Sequence, residues 1–386
     1  MTDPTSPRTT RTSSAHRPPS ATRTPPGTTA GALRFRGPVL PDGESRDLYV
    51  VDGRVTYEPV ASAELVAEGW VVPGLVDAHC HIGLDAHGAV PPDVQEQQAI
   101  TDRDAGALLL RDCGSAADTS WVHDRDDLPR LIRAGRHLAR PRRYIRNFAH
   151  EIEPEELPAY VAQEAERGDG WVKIVGDWIE REAGDLTPSW TRESLDAAMR
   201  TAHEHGARVT AHVFGEAALP DLIGSGIDCI EHGTGLSLDL IEQMVAHDVA
   251  LVPTVKQLDN FPNYAEAGRA RFPAYADHML ALHRTRREVI GAAYDAGVPI
   301  YAGTDAGGVL PHGLIGQEVM ELATYGLSPR DALGAASWRA RSWLGLDDNL
   351  AEGTTADFVV FDGNPLEDLT VLGRPSRIVL RGAVVG

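Results

Sequence analysis

Histidine, lysine and aspartate recur along this chain where they could hold a metal ion. His79 and His81 flank Cys80, directly after the apolar run Val71-Val-Pro-Gly-Leu-Val-Asp-Ala78. Lys173 sits in Trp171-Val-Lys-Ile-Val-Gly176, His212 in Arg208-Val-Thr-Ala-His-Val-Phe214, His232 just after Ile227-Asp-Cys-Ile-Glu231, and Asp305 in Ala302-Gly-Thr-Asp-Ala-Gly-Gly308. Imidazole and carboxylate are ligands suited to Zn²⁺ or Mn²⁺. Each residue also has an ordinary explanation. His212 and His232 could be satisfied core histidines, Asp305 a turn aspartate, and Lys173 a snorkelling lysine. With 15 histidines, an HxH pair arises readily by chance. A second pair, His203-Glu-His205, precedes Gly206 at the end of a helical stretch. There an imidazolium complements the helix dipole, so that pair reads as a helix end and not a metal site. His79 and His81 differ because residues two apart on a strand share a face. Lys173 differs because only two of the 36 basic residues are lysine, Lys173 and Lys256. Arginine serves wherever charge is enough; a surviving lysine points to a need for an amine that can lose its proton.

The elements that must position these residues alternate. Candidate strands are 75–82, 107–112, 143–148, 171–176, 208–214, 227–231, 249–255 and 299–304. Helical stretches fall at 126–137, 154–167, 191–205, 236–246, 276–296 and 329–343. Ser328-Pro329 followed by Asp331 reads as a capped helix start. Eight strands alternating with helices is the bookkeeping of a distorted (β/α)8 TIM barrel over residues 73–350. A doubly wound sheet is the alternative, but no GxGxxG turn follows any strand. In a barrel the strand C-termini converge on one mouth, which gathers His79, His81, Lys173, His212, His232 and Asp305. Residues 31–72 and 351–386 are β-like, with a hairpin over 46–55 turning at Asp52-Gly53. The two ends are expected to pair into a small β-sandwich domain.

The order HxH, Lys, His, His, Asp resembles the amidohydrolase superfamily in its binuclear, carboxylated-lysine form. Pro73-Gly-Leu-Val-Asp-Ala-His-Cys-His81 is similar to the first-strand signature and Gly303-Thr-Asp305 to the last. Ala356-Asp-Phe-Val-Val-Phe-Asp-Gly-Asn-Pro-Leu366 resembles the stretch that re-enters the small domain. Leu110-Arg-Asp-Cys-Gly114, His312-Gly313 and Glu318 resemble the branch with imidazolonepropionase-like proteins and Xaa-Pro dipeptidases. The resemblance implies that His79, His81 and Asp305 bind the more buried of two divalent metals, Zn²⁺ or Mn²⁺, and that His212 and His232 bind the other. Lys173 would carry a CO₂-derived carbamate bridging them, and Asp305 would move the catalytic proton. A histidine near the third strand helps bind substrate in this branch; His150 is the candidate, with a plain loop histidine as the alternative. Lys256 follows the seventh strand and is either a carboxylate anchor at the mouth or a surface lysine. The implied activity is hydrolysis of a C–N bond in an amide, lactam, imide or dipeptide-like substrate. A deaminase or a lactone or ester hydrolase is the alternative.

Composition narrows the partners. A formal charge of −20 repels nucleic acid and anionic membranes, and no apolar run is long enough to span a bilayer. The expected partner is a small-molecule substrate, with a homo-oligomer left open. Cys80, Cys113 and Cys229 form no disulfide framework and read as reduced thiols of a cytoplasmic protein. Of the first 30 residues, 19 are Ser, Thr or Pro. That composition predicts a disordered tail without a secretory h-region.

Overall fold

Short apolar runs without a polar face make strands that need cover on both sides. Leu75–Cys80 (β1) and Ala107–Asp112 (β2) bury all six residues each in the computed structural model, which describes residues 31–386. The predicted tail, 1–30, lies outside the described residues. Arg130–Arg133 (β3) pairs in parallel with β2, which pairs in parallel with β1. Five residues past β3, Leu138–Ala139 (β4) pairs instead with Trp171–Val175 (β5). The parallel run continues through Arg208–Val213 (β6), Cys229–His232 (β7) and Ala250–Val252 (β8). Residues 299–306 then lie between β8 and β1. Leu251 bridges Ile300, Cys80 bridges Ala306, and the Ala78 N–H donates to the Ala302 carbonyl at 2.8 Å. The parallel pairings thus form two runs, β1 to β3 and β4 to β8, linked through the chain between β3 and β4, and residues 299–306 bridge the second run back to β1.

Helices stand between the strands: α1 (Pro92–Asp104), α2 (Leu157–Arg167), α3 (Arg192–Glu204), α4 (Leu219–Gly224), α5 (Leu238–Ala246), α6 (Val255–Leu258), α7 (Phe261–Arg269), α8 (Pro273–Ala296), α9 (Ile315–Thr324) and α10 (Pro329–Ala335). Their starts follow local chemistry. The side-chain oxygens of Thr191, Ser237 and Ser328 accept from N–H groups in the first turns of α3, α5 and α10. Apolar helix faces close over the strands in one large core that includes Leu110, Val172, Val209, Ile230, Leu251 and Ile300.

Two expectations fail at the third strand. Residues 126–137 are not helical, because Pro129 and the left-handed Gly135 interrupt any helix and free 130–133 to pair with β2. Residues 143–148 form a loop, not a strand. Their apolar side chains, Tyr144, Ile145 and Phe148, pack over a cavity instead of into a sheet.

The two chain ends share one sheet, in the order Ala383–Val384, Arg377–Leu380, Phe358–Phe361, Trp70–Pro73, Leu33–Val39, Glu44–Val51 and Arg54–Thr56, with Glu64–Glu68 beside Leu33–Val39. Its core joins Phe35, Leu48, Val71, Phe358, Val360 and Val379, with Phe35 and Phe358 edge to face at 4.8 Å. The predicted hairpin turns at Asp52 (φ 48°) and Gly53 (φ 77°), as a two-residue type I′ loop requires. Among the described residues, no helix is long and apolar enough to cross a membrane.

Candidate metal centre

The C-terminal ends of the parallel strands carry unusual backbone. His232 (φ 68°), Thr254 (φ 47°) and Asp305 (φ 58°) all adopt left-handed conformations costly for non-glycine residues. Each places a polar side chain at the same end of the strand array. The turn at 305 is held from both sides: Asp305 N–H donates to the His79 carbonyl at 2.7 Å. The buried Asp77 accepts from the Thr304 N–H at 3.0 Å and from the His79 N–H at 3.1 Å.

Three electron-rich atoms converge there. His79 Nε2 and His81 Nε2 are 3.3 Å apart, and Asp305 Oδ1 is 3.1 Å from the first and 3.0 Å from the second. The far nitrogen of each ring is anchored. His79 Nδ1 faces Glu231 Oε2 at 2.7 Å, and His81 Nδ1 faces the Gly114 carbonyl at 2.8 Å. A ring that donates from Nδ1 presents its Nε2 lone pair, so both inner nitrogens face Asp305 as ligands would. Burial and Lys173 disfavour a charged His79, yet Glu231 and Asp305 carry its pKa upward. Burial works against an ionised Asp305 as well, but His79 and His81 hold its carboxyl well below the usual range.

A second pair stands beside the first. His232 Nε2 lies 2.9 Å from His212 Nδ1, and His232 Nδ1 faces the Thr254 hydroxyl at 2.7 Å. The rings of His79 and His232 are 5.4 Å apart. Lys173 is only 1% exposed, and among the described residues its Nζ has no hydrogen-bond partner. His212 Nε2 is also unpartnered. An orphaned amine and an orphaned imidazole nitrogen, deeply buried, are what remains when a shared ligand is missing from the count. The donor set therefore fits divalent metal. His79, His81, His212, His232 and Asp305 come to one end of the strands, while Lys173 lies midway along β5.

Other predictions fare differently. His150 points away: its Nε2 meets Glu164 Oε1 at 3.0 Å and its ring packs near Tyr160. The third-strand histidine at the centre is His137, fully buried, 5.1 Å from the rings of both His81 and Tyr144. Among the described residues neither of its nitrogens has a partner, and burial, then His81, pushes its pKa well down. Gly114 makes room for it, since a Cβ there would sit 2.7 Å from His137 Nδ1. Lys256 lies on α6, half-buried and absent from the cavity wall, where its neighbour Gln257 stands instead. His203 meets Asp228 at 3.0 Å and His205 the Thr201 carbonyl at 2.8 Å, both exposed at the end of α3.

Sequence reasoning also missed a buried support. Arg111 donates to Glu231 at 2.6 Å and to the Ala78 carbonyl at 2.7 Å, while its guanidinium stacks over Trp171 and Trp343. Burial resists an ionised Glu231, but Arg111 and His79 hold its pKa well below the carboxylate range. Glu231 thereby stays an acceptor and fixes the His79 ring. Outside the centre opens a cavity of about 340 Å³, with His81, His212 and Asp305 at its floor and Tyr144, Phe148, Trp178, Phe214, Tyr264 and Tyr275 in its walls.

The model of the amidohydrolase family matches residues 70–385. An uncharacterized protein of Mycobacterium tuberculosis is 54% identical over 363 residues, 94% of this chain and 98% of the relative. The imidazolonepropionase of Chromobacterium violaceum is 26% identical over 369 residues, 81% of this chain and 83% of that protein. A crystal structure of a Xaa-Pro dipeptidase with methionine in its active site superposes with a TM-score of 0.76 at 21% identity, covering 92% of this chain and 99% of that one. At that identity the likeness is one of fold.

Proposed function

The chain belongs to the amidohydrolase family, and we propose that it hydrolyses the C–N bond of an amide-type small molecule with two divalent metals, Zn²⁺ or Mn²⁺. The observation that carries this reading is the convergence of His79 Nε2, His81 Nε2 and Asp305 Oδ1 within 3.3 Å of one another. The two runs of parallel pairings, bridged by residues 299–306, support a distorted (β/α)8 barrel, and the sheet from both ends supports a small β domain. Three free, buried cysteines are in keeping with a reducing, cytoplasmic setting.

When bound, the metals supply a hydroxide at neutral pH and a Lewis acid for the substrate carbonyl. The chain's own residues do the rest. His79, His81 and Asp305 would hold one cation, and His212 and His232 the other. Lys173, as a carbamate formed with CO₂, would supply a further anionic ligand. Asp305 accepts the proton of the attacking water and passes it to the departing nitrogen. Glu231 and Arg111 keep the His79 ring fixed, and the aromatic wall excludes water.

Elemental analysis of protein grown with Zn²⁺ or Mn²⁺ should give close to two metals per chain, and His79→Asn should lower both metal content and amide hydrolysis. Folded wild-type protein that holds no metal under those conditions would overturn the reading. So would turnover of esters or amino-heterocycles with no amide cleaved across N-acyl amines, lactams and dipeptides.

A further inference from the structure

The cavity wall bears on what enters it, an inference that rests on the amide-hydrolase reading. We propose that the substrate is an uncharged amide carrying an aromatic group, and not a dipeptide or acyl amino acid with a free carboxylate.

The wall has no Lys or Arg. Its rings pack edge to face, Tyr144 against Trp178 at 4.9 Å and 68°, and Phe214 is backed by the buried Phe261 at 4.6 Å and 67°. An aryl group entering the cavity extends that packing. A carboxylate entering it loses water and gains no cation from the wall.

The cations nearby are already committed. Arg143 donates to the carbonyls of Trp178 and Pro188, both at 3.0 Å, and to Thr187, so its guanidinium braces the hairpin behind Trp178. His278, pushed up to about 9 by Glu216 with Asp185 adding to it, lies 2.9 Å from a carboxylate oxygen of each. That imidazolium is thus engaged by two carboxylates, and none of the three residues lines the cavity. Gln257 and Phe214, both in the wall, carry no charge. The polar groups that do line the cavity, Gln257, Trp178 and the Tyr264 hydroxyl, suit the neutral ends of an amide.

N-phenethylacetamide and N-acetyl-phenylalanine test this, because they share the acetyl–nitrogen bond and the phenyl ring and differ by one carboxylate. With the metal-loaded protein, kcat/KM should favour the neutral amide by at least about tenfold. Tyr264→Arg, which brings a cation to the wall, should move the ratio toward the acid by about tenfold. Calorimetric titration of Asp305→Asn with both compounds reads binding without turnover, and only the neutral compound should bind. If both are cleaved with the acid favoured, the substrate class is overturned and the hydrolase reading stands. If neither is cleaved but the neutral compound binds selectively, the hydrolase reading falls and the substrate class stands. Failure of the neutral compound to bind Asp305→Asn overturns the substrate class.

Discussion

A primary amine without a partner, deep among histidines and carboxylates, costs stability unless chemistry requires it. Lys173 is such an amine, so its replacement is informative. Lys173→Arg keeps charge but cannot form a carbamate. Activity should fall about 100-fold or more and metal content should drop toward one per chain, read by elemental analysis on protein whose circular dichroism is unchanged. Lys256→Arg, away from the cavity wall, should leave both within about threefold, inside the small range of ordinary surface changes. The other informative residue is His137. Its unpartnered nitrogens lie against His81 and behind Tyr144. His137→Ala should cut kcat/KM about tenfold or more with metal retained, the scale of a lost hydrogen bond in a buried site. His150→Ala, which breaks a contact with Glu164 outside the cavity, should change kcat/KM by less than about threefold.

At the scale of elements, strand ends and helix starts hold the site together. Glu318 on α9 caps α6 by accepting from the Val255 and Lys256 N–H groups at 2.8 and 2.9 Å. Burial pushes its carboxyl up to about 8. Because the folded state binds this proton more tightly than the unfolded chain, its contribution is present at low pH and is lost as pH rises toward 8. Asp112 and Asp177, also raised by burial to about 7, act in the same direction. Urea midpoints should therefore fall as pH rises from about 4.5 to about 8, and Glu318→Gln should flatten that fall. An unchanged slope in the variant would remove Glu318 from the account. The long apolar strands were legible because an uninterrupted apolar run between glycines leaves little choice: Ala107–Asp112 was read to the residue. The third strand was not, because Arg-Leu-Ile-Arg is short and its charged flanks mimic a helix face. Weighing Pro129 and Gly135 as breakers would have freed it and placed His137 at a strand end like the other histidines. Glu231 was hidden for another reason. Alternation sends neighbouring side chains to opposite faces, but the left-handed backbone at His232 lets Glu231 and His232 serve the same centre.

At the scale of the molecule, both chain ends are needed to build one sheet. Phe358–Phe361 lies between Trp70–Pro73 and Arg377–Leu380, pairing Phe358 with Pro73 on one side and Val379 on the other. A chain ended at residue 350 keeps all six candidate metal ligands yet loses the antiparallel neighbour of Trp70–Pro73. Its soluble fraction after expression should fall steeply; full solubility would mean that this sheet is dispensable. The arrangement also sets a clock on synthesis. Trp70–Pro73 emerges from the ribosome 285 residues before its partner begins at Phe358. At about 5–20 residues per second, that strand waits on the order of 15–60 s with an apolar edge unpaired. Early in its life the protein is thus exposed to holding chaperones and to its own nascent neighbours, and the pace of translation, as much as final stability, governs how much of it survives to fold.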